Sequence, residues 1–472
     1  MLTNEMLDDL IRDKEFNQAR FLSAQHVLEL HDILTTKDNE TVMIYQDGYY
    51  HNPAEPVIKG TLHQLWGAEL TTKEMNEIIK AHIIPQTYIE RKELNNSIYF
   101  TCIQNGALNL VDGSLTPHDK KYKFTFKLPI TYNPEAQCPK IQKFIEEVCL
   151  DKKDVDTIYE LIAYCLHRDY PTAKVFVLLG GGRNGKSTLI SLIKTFLGED
   201  NIRGLSMHQL EHDTYARSHL FGRHANLNPD VGNKQIATSG AIKQLTGNDL
   251  IDTNVKHKDY FRFRNFAKLI FASNELPRSD DSSYAWMSRW IFLKFPHNFD
   301  GEECLYCRQK HDVNKTLLQE LTTEEELSGL LNKVIEALLR LRNHNWDFSL
   351  SDYVKSMEKE YSRLSDPIKA FLEDCVEEDP FEQVDKADLY SAYGNYVMNI
   401  GDTPTSSNHF TQRLKQYLPN VQEGRSGNKK YWKNIRIKEK TIQDSLNLDH
   451  VDNPNGGLSE QALSKSRGGW NQ

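Results

Sequence analysis

The sequence predicts an α/β core around a phosphate-binding loop, flanked by an α+β N-terminal domain and a C-terminal winged helix. Three observations predict this fold. A buried strand, a glycine-rich loop and a helix follow one another in KVFVLLGGGRNGKSTLISLIKTFLG, residues 174–198. Two further strand candidates, HANLNPD (224–230) and FAKLIFASN (266–274), each end in a polar residue. Near the C-terminus, three helical segments precede a basic turn, RSGNKKYWKNIRI.

The glycine-rich loop fits the pattern G-x-x-x-x-G-K-[ST] and indicates a P-loop NTPase. Such a loop must turn sharply and present bare backbone N–H groups to phosphate, which explains its glycines. Lys186 is placed to reach the β and γ phosphates of ATP, and Ser187 to ligate Mg²⁺. The predicted nucleotide-binding residues are Gly180, Gly181, Gly182, Arg183, Asn184, Gly185, Lys186, Ser187 and Thr188.

Length, composition and charge limit the classes of protein to which the chain can belong. The chain has 472 residues, of which 39% are hydrophobic and 26% charged, enough for two to four globular domains. It contains no apolar run long enough to span a membrane, and its polar N-terminus does not resemble a signal peptide, so we expect a cytoplasmic protein with no membrane partner. The net charge of −9 means that any binding of nucleic acid must come from local basic patches.

The seven cysteines are odd in number and scattered, as in proteins of a reducing compartment. Cys304 and Cys307 form a C-x-x-C pair with His311 nearby. No second ligand pair follows at the spacing of a zinc site, so the sequence favours no metal centre there.

Hydrophobic periodicity, turn signals and composition divide the chain into six segments. Within residues 1–135, a helical stretch is expected over 1–36, and TVMIYQDGYYH (41–51) indicates a hairpin after it. Short strands are expected at 97–104, 107–111 and 124–130. The predicted segments are an α+β accessory domain (1–135), a helical linker or collar (136–173), the ATPase core (174–300), a helical extension (301–350), a winged-helix domain (351–440) and a disordered tail (441–472).

Three residues after the loop are candidates for the rest of an ATP site. Asp230 follows a short strand, where a carboxylate could hold Mg²⁺ or activate water, although a lone acid there is equally typical of a surface. Asn274 ends a better strand and could orient the attacking water, or simply begin a loop. Arg289 could supply charge to the ATP of a neighbouring subunit, or stack on Trp286 or Trp290 at the surface.

GGGRNGKST, HANLNPD, KLIFASNELP and the arginine together resemble motifs A, B and C of superfamily 3 helicases. The chain is most similar to the helicase part of phage and plasmid primase-helicases, which are related to the poxvirus primase-helicase. The stretches 105–187 and 242–263 also resemble that family, and the match covers roughly residues 30–437. The resemblance implies an AAA+-like core that assembles into a homo-hexamer with ATP and Mg²⁺ between subunits, Arg289 acting in trans and Lys243 reaching across the boundary.

Two features depart from the family. Its second motif usually carries two adjacent acids, whereas Pro229 precedes Asp230 here, so the identity of the general base stays open. The sequence before residue 30 offers no stretch for a primase polymerase domain. We therefore expect a helicase without a primase, and a separate primase is a candidate partner.

Residues 252–263 indicate a hairpin with Lys256, His257 and Lys258 at its tip. In the resembled family this hairpin points into the hexamer channel and grips single-stranded DNA, and lysines suit that task because they pair with phosphates without reading sequence. The alternative is a solvated charged turn.

The C-terminal segment predicts helices at 366–378, 385–400 and 406–417, followed by a basic wing. Residues 404–440 carry nine lysines and arginines against two glutamates. Arg413 on the last helix and Lys429 and Lys430 in the wing are therefore predicted to contact duplex DNA. A winged helix that docks on protein is the alternative.

These expectations favour an ATP-dependent DNA helicase for replication of a phage, plasmid or other mobile element, with hydrolysis at subunit interfaces driving single-strand translocation. The alternative is an origin-binding initiator that uses ATP only to assemble. A small-molecule kinase is disfavoured, because the sequence shows no acceptor-site lid and the basic wing would be unexplained.

Overall fold

The computed structural model describes residues 3–229, 239–255, 258–277, 279, 281–304, 306–310 and 313–438. The chain forms two compact units, Met1–Ser362 and Arg363–Gln472. None of the helices within the described ranges is long and apolar enough to cross a membrane.

The helices of the first unit, the last of which continues into the second, are α1 Asn4–Arg12, α2 Phe16–Leu30, α3 Glu55–Trp66, α4 Thr72–Glu77, α5 Pro139–Val148, α6 Lys152–Leu166, α7 Lys186–Leu197, α8 Met207–His212, α9 Thr214–Ser218, α10 Gly240–Thr246, α11 Tyr284–Met287, α12 Leu317–Leu321, α13 Glu324–Asn343 and α14 Asp352–Ser365. Its strands are β1 Ile33–Thr36, β2 Val42–Gln46, β3 Tyr49–His51, β4 Tyr88–Ile89, β5 Phe100–Ile103, β6 Gly106–Asn109, β7 Leu115–Thr116, β8 Val175–Leu179, β9 Ile202–Arg203, β10 Ala225–Asn228, β11 Leu250–Val255, β12 Lys258–Arg264, β13 Lys268–Ser273 and β14 Trp290–Lys294.

A five-stranded parallel sheet lies at the centre of the first unit, in the order β14-β8-β13-β10-β9. It confirms the predicted α/β core, and its strands β8, β10 and β13 coincide with the three strand candidates of the sequence. Every residue of β8 is buried because both faces of the sheet are covered. Val175, Val177 and Leu179 enter one hydrophobic core, and Phe176 and Leu178 enter another. The carboxyl ends of these strands meet at one edge, where ligands bind in sheets of this kind.

The first 94 residues build separate cores of their own around a four-stranded sheet, β3-β2-β1-β4. The hairpin predicted at 41–51 is confirmed, with Asp47 and Gly48 at φ values of 50° and 95° in its two-residue turn. The helical stretch expected over 1–36 ends instead at Leu30. The β-branched run that follows pairs as strand β1 with β2, which overrides the helical reading.

Residues 100–130 share one core with α5, α6 and the parallel sheet. Two of the three strands expected there are confirmed as β5 and β6, which pair with the short β7. The structure assigns no strand to 124–130. That segment runs extended with alternate side chains buried, and the bond from Leu128 N to Cys102 O (2.9 Å) joins it to β5 without forming a ladder.

The second unit contains α15 Pro367–Cys375, α16 Lys386–Asn399, α17 Ser407–Tyr417, β15 Val376–Glu377, β16 Gln383–Asp385, β17 Gln422–Ser426, β18 Lys429–Lys433 and β19 Arg436–Ile437. The three helices lie where the sequence predicts them. Strands β17 and β18 form the predicted hairpin, and β16 adds an unpredicted third strand beside β18. Phe371, Tyr393, Phe410 and Trp432 fill the core between helices and sheet. The predicted tail, 441–472, lies outside the described residues.

Gly329 on α13 gives a test of this packing. A Cβ on Gly329 would lie 2.2 Å from the backbone carbon of Gln137, so helix and chain can approach only without a side chain. We expect Gly329→Ala to destabilise the protein by about 1–3 kcal/mol, the usual cost of overpacking, and to lower the thermal midpoint.

Gly60 on α3 is the matched control, because a Cβ there meets nothing within 4 Å. Gly60→Ala should leave the midpoint unchanged or raise it slightly, since alanine favours helix by about 0.5–1 kcal/mol. Circular dichroism melts of both variants check this, and equal midpoints for the two would contradict the close approach.

Candidate functional site

The glycine-rich loop connects β8 to α7 at the carboxyl edge of the sheet. Gly180 has a φ of +153°, and a Cβ on it would lie 2.1 Å from Asn184 Nδ2 and 2.4 Å from the carbonyl oxygen of Phe295. Gly185 precedes the first turn of α7 with a φ of +89°, and a Cβ there would lie 2.6 Å from Val148 Cγ1. At both positions the backbone of the loop takes a conformation that only glycine adopts without strain.

Asn184 and Lys186 hold the loop from within. Asn184 is buried, its Nδ2 donates to the carbonyl of Phe295 (3.1 Å), and its Oδ1 accepts from Lys186 Nζ (3.1 Å). Lys186 Nζ also donates to the carbonyls of Gly180 (2.5 Å) and Gly181 (2.8 Å). Burial lowers the pKa of Lys186. The lysine ammonium is therefore turned back onto the backbone of its own loop.

A cavity of about 940 Å³ opens above this loop, a volume suited to a nucleotide-sized ligand. It brings together the loop and Asn274, as the sequence analysis expected. The remaining wall comes from helix α5 and from the segment after β14, which the sequence did not single out. The lining residues are Lys140, Lys143, Phe144, Glu147, Gly181, Gly182, Arg183, Asn184, Gly185, Lys186, Ser187, Thr188, Pro229, Asn274, Phe299, Asp300, Val313, Asn314, Leu317 and Glu320.

Asn274 reaches the cavity because β13 lies next to β8. The preceding Ser273 fixes the turn: its hydroxyl donates to Glu275 O (2.6 Å), and its carbonyl accepts from Gly180 N (3.2 Å). Pro229 lines the same cavity, one residue before Asp230. Asp230 itself lies outside the described residues, so its place as an acid of the site stays a prediction.

Arg289 stands just before β14 and is not among the residues that line the cavity. Its Nε donates to Thr246 Oγ1 (3.0 Å) on α10, and its Nη1 donates to the carbonyl of Ala285. Burial lowers the pKa of Arg289. Lys243, one turn before Thr246, pairs with Asp281 and donates to Ser283 Oγ (3.1 Å). Lys243 thus lies on α10 and Arg289 contacts it, and neither residue lines the cavity of its own chain.

The hairpin predicted for 252–263 is confirmed as the antiparallel pair β11–β12, with Val255 opposite Lys258. Lys256 and His257 lie outside the described residues, and of Lys258 only the backbone is described. Their contact with DNA stays a prediction.

The three candidates for duplex contact lie in the second unit but differ in their surroundings. Arg413 pairs with Asp366, whose side chain is only 8% exposed, and donates to the hydroxyl of Tyr417. Its guanidinium is therefore held within the unit, which the sequence did not foresee. Lys429 and Lys430 are exposed on β18.

Three family models match successive parts of the chain. They are described as "D5 N terminal like" over residues 28–150, "Family of unknown function (DUF5906)" over 178–289 and "Poxvirus D5 protein-like" over 363–455. A curated relative, "Putative helicase L207/L206" of Acanthamoeba polyphaga mimivirus, is 27% identical over 214 residues, which are 40% of this chain. The chain spans about a fifth (21%) of that relative's length.

Two solved structures of the NrS-1 C-terminal region are similar to the chain. One is 12% identical and covers 88% of this chain and 98% of its own, with a TM-score of 0.48. The other is 10% identical and covers 88% and 100%, with a TM-score of 0.49. The family models and the mimivirus relative confirm the resemblance that the sequence motifs suggested.

The loop geometry predicts which glycines are indispensable. Gly180→Ala should lower the affinity for nucleotide by at least about tenfold, because the methyl group must displace either Asn184 or the carbonyl of Phe295. Titration with a fluorescent nucleotide analogue measures the loss.

Gly182→Ala serves as the control, since a Cβ there meets nothing within 4 Å and needs no unusual φ. Its affinity should stay within about twofold of the original. A Gly180→Ala variant that binds as well as Gly182→Ala would show that the close approach does not shape the site.

Proposed function

We propose that the chain is an ATP-dependent DNA helicase for replication of a phage, a plasmid or another mobile element. Its matches to the "D5 N terminal like" and "Poxvirus D5 protein-like" models and its similarity to "Putative helicase L207/L206" support this proposal. ATP would bind between the subunits of a ring, and its hydrolysis would move the chain along one DNA strand. The observation that carries the proposal is the cavity that unites the glycine-rich loop with Asn274 and leaves Arg289 outside.

The loop fits a nucleotide triphosphate on its own geometry. The loop leads through Gly181, Gly182 and Gly185, which carry no side chains, into the start of α7, where the helix dipole favours negative charge. Lys186 is already turned into the loop and can exchange carbonyl partners for phosphate oxygens. Ser187 and Asp230 would hold Mg²⁺, which neutralises phosphate charge when bound.

The remaining roles follow from position. Asn274, exposed at the mouth beside the loop, would orient the attacking water next to the γ phosphate. Arg289 lies away from its own chain's cavity, so it would act on the nucleotide of the neighbouring subunit as an arginine finger. That assignment requires an assembly with its interface at α10, and we propose a homo-hexamer.

DNA would be held at two places. The β11–β12 hairpin would present Lys256, His257 and Lys258 to single-stranded DNA inside the ring. In the second unit, the three helices and the β17–β18 hairpin would act as a winged helix that binds duplex DNA. We assign its duplex contacts to Lys429 and Lys430 rather than to Arg413, whose guanidinium is occupied by Asp366.

A second candidate function is an origin-binding initiator that assembles with ATP but does not unwind processively. The exposed lysines of β18 favour it, because they would bind duplex without any motor.

The central test is unwinding of forked DNA by the full chain with ATP. We expect unwinding, an ATPase stimulated by single-stranded DNA, and a loss of both by about 100-fold or more in Lys186→Ala, since the phosphate clamp is removed. The control is Lys194→Ala on the same helix, where the lysine is half exposed and pairs with Glu199 at 2.9 Å. That variant should behave as the unaltered chain.

Two outcomes would contradict the helicase proposal. Duplex binding and ATP-dependent assembly without fork opening would favour the initiator. Near-normal ATPase in Lys186→Ala would contradict the nucleotide site itself.

The trans role of Arg289 predicts a mixing effect. Arg289→Ala should still bind nucleotide, because the residue does not line its own cavity, but hydrolysis should fail. When Arg289→Ala is mixed with Lys186→Ala, each inactive alone, activity should reappear, since an interface between the two variants can pair an intact glycine-rich loop with an intact Arg289.

Arg12→Ala is the matched control, an exposed arginine on α1 paired with Asp9 at 3.0 Å. Arg12→Ala should keep full activity on its own. A mixture of Arg289→Ala with Lys186→Ala that stays inactive would argue against action across an interface.

A further inference from the structure

The segment that follows β14 gathers three side chains with metal-ligating atoms. The ligand atoms of His297, Cys304 and Cys307 all lie within 4.8 Å of one another. Cys304 Sγ and His297 Nδ1 are 3.9 Å apart. A tetrahedral zinc with Zn–S of about 2.3 Å and Zn–N of about 2.0–2.1 Å separates its ligand atoms by about 3.6–3.8 Å. The cluster is therefore spaced to close on a zinc ion with small side-chain movements.

We propose that His297, Cys304 and Cys307 bind a Zn²⁺ ion and supply three of its four ligands. Two thiolates and an imidazole form a soft donor set that favours zinc over Mg²⁺, which prefers oxygen. Among the described residues this is the one group of three or more histidines, cysteines and acids placed to share an ion. His311, which follows Cys307 closely in the sequence, lies outside the described residues and is not part of the proposed set.

The backbone around the two cysteines is shaped as a tight knuckle. Cys304 N donates to Gln309 O (2.8 Å), and Arg308 N donates to Cys304 O (2.8 Å). Glu303 and Lys310 pair as an antiparallel bridge. Arg308 takes a left-handed φ of 56°, which costs free energy for a residue with a Cβ. This turn returns the chain so that both sulfur atoms face the same point.

The proposed zinc would anchor one wall of the nucleotide cavity. Phe295 N donates to Leu179 O (2.7 Å) at the end of β8, and Phe299 N donates to Arg183 O (2.8 Å) in the glycine-rich loop. Phe299 and Asp300 line the cavity between these contacts and the cysteines. The glycine-rich loop would therefore hold this segment at Phe299, and the ion would hold it at Cys304 and Cys307.

Metal content of the full chain tests the site. After purification with ZnSO₄ and without chelators, elemental analysis should give one zinc per chain. Cys304→Ser/Cys307→Ser and His297→Ala should each lose it, whereas the control Cys149→Ser/Cys375→Ser should keep it. Zinc absent from the unaltered chain, or retained by the first double variant, would overturn the proposal.

A spectroscopic measurement keeps the test decisive if the variants fold poorly. The unaltered chain loaded with Co²⁺ in place of zinc should show sulfur-to-cobalt charge-transfer absorption and the d–d bands of a tetrahedral site. Absence of both would overturn the assignment. Thiol titration that finds Cys304 and Cys307 oxidised as a disulfide in freshly purified, unaltered chain would also overturn it.

The effect on the cavity rests on the proposed function and is measured separately. His297→Ala should weaken nucleotide binding by several-fold, with a smaller change in kcat than in KM. Metal content and the cobalt spectrum do not depend on hydrolysis, so they would stand even if the chain proved not to be an ATPase.

Discussion

The site depends on a close approach between Gly180 and the carbonyl of Phe295. The pairing of β8 with β14 brings these distant parts of the chain together, and the same carbonyl accepts from Asn184 Nδ2. Any side chain at Gly180 would occupy the place of these two groups. The loop is thus fastened to the sheet on both sides, so that the N–H groups of α7 and the ammonium of Lys186 are oriented before a ligand arrives. Such preorganisation lowers the ordering cost of binding a phosphate.

Elements whose pattern is local were predictable from the sequence. The sequence predicts strand Val175–Leu179 correctly, because an apolar run rich in β-branched residues is typical of a strand buried on both faces. Features created by contacts between distant segments were not. Strand β16 is the short polar run Gln383–Asp385, which becomes a strand only by pairing with β18. Arg413 looked available for DNA because its partner Asp366 stands 47 residues away. The sequence favours no metal site because no second ligand pair follows the C-x-x-C pair, whereas the third ligand of the cluster, His297, precedes it.

Arg289, which contacts α10, and Lys243, which lies on it, differ in the charge of their partners. Arg289 donates to a threonine hydroxyl and a backbone carbonyl, both neutral acceptors that it can exchange for phosphate at modest cost. Lys243 is paired with Asp281. Burial would raise the pKa of that carboxyl, but Lys243, Ser239 and Ser283 outweigh it and hold the pKa well below its usual range. Removing the lysine would strand a charged, partly buried carboxylate. Arg289 is therefore the better candidate to reach a neighbouring subunit, and Lys243 the better candidate to hold α10 in place.

The proposed zinc and the phosphate loop act on one segment with different consequences for stability. Strand β14 is already fixed by its parallel pairing with β8, and the knuckle has its own hydrogen bonds at Cys304 and Gln309. Closing the short loop between His297 and Cys304 would stabilise that loop, whereas the strands of the sheet pair with each other without it. The ion would therefore contribute little to the stability of the sheet. Its main effect would fall on Phe299 and Asp300, which stand between the two anchors and face the cavity. Loss of the metal should thus loosen the wall beside the nucleotide while the parallel sheet stays folded.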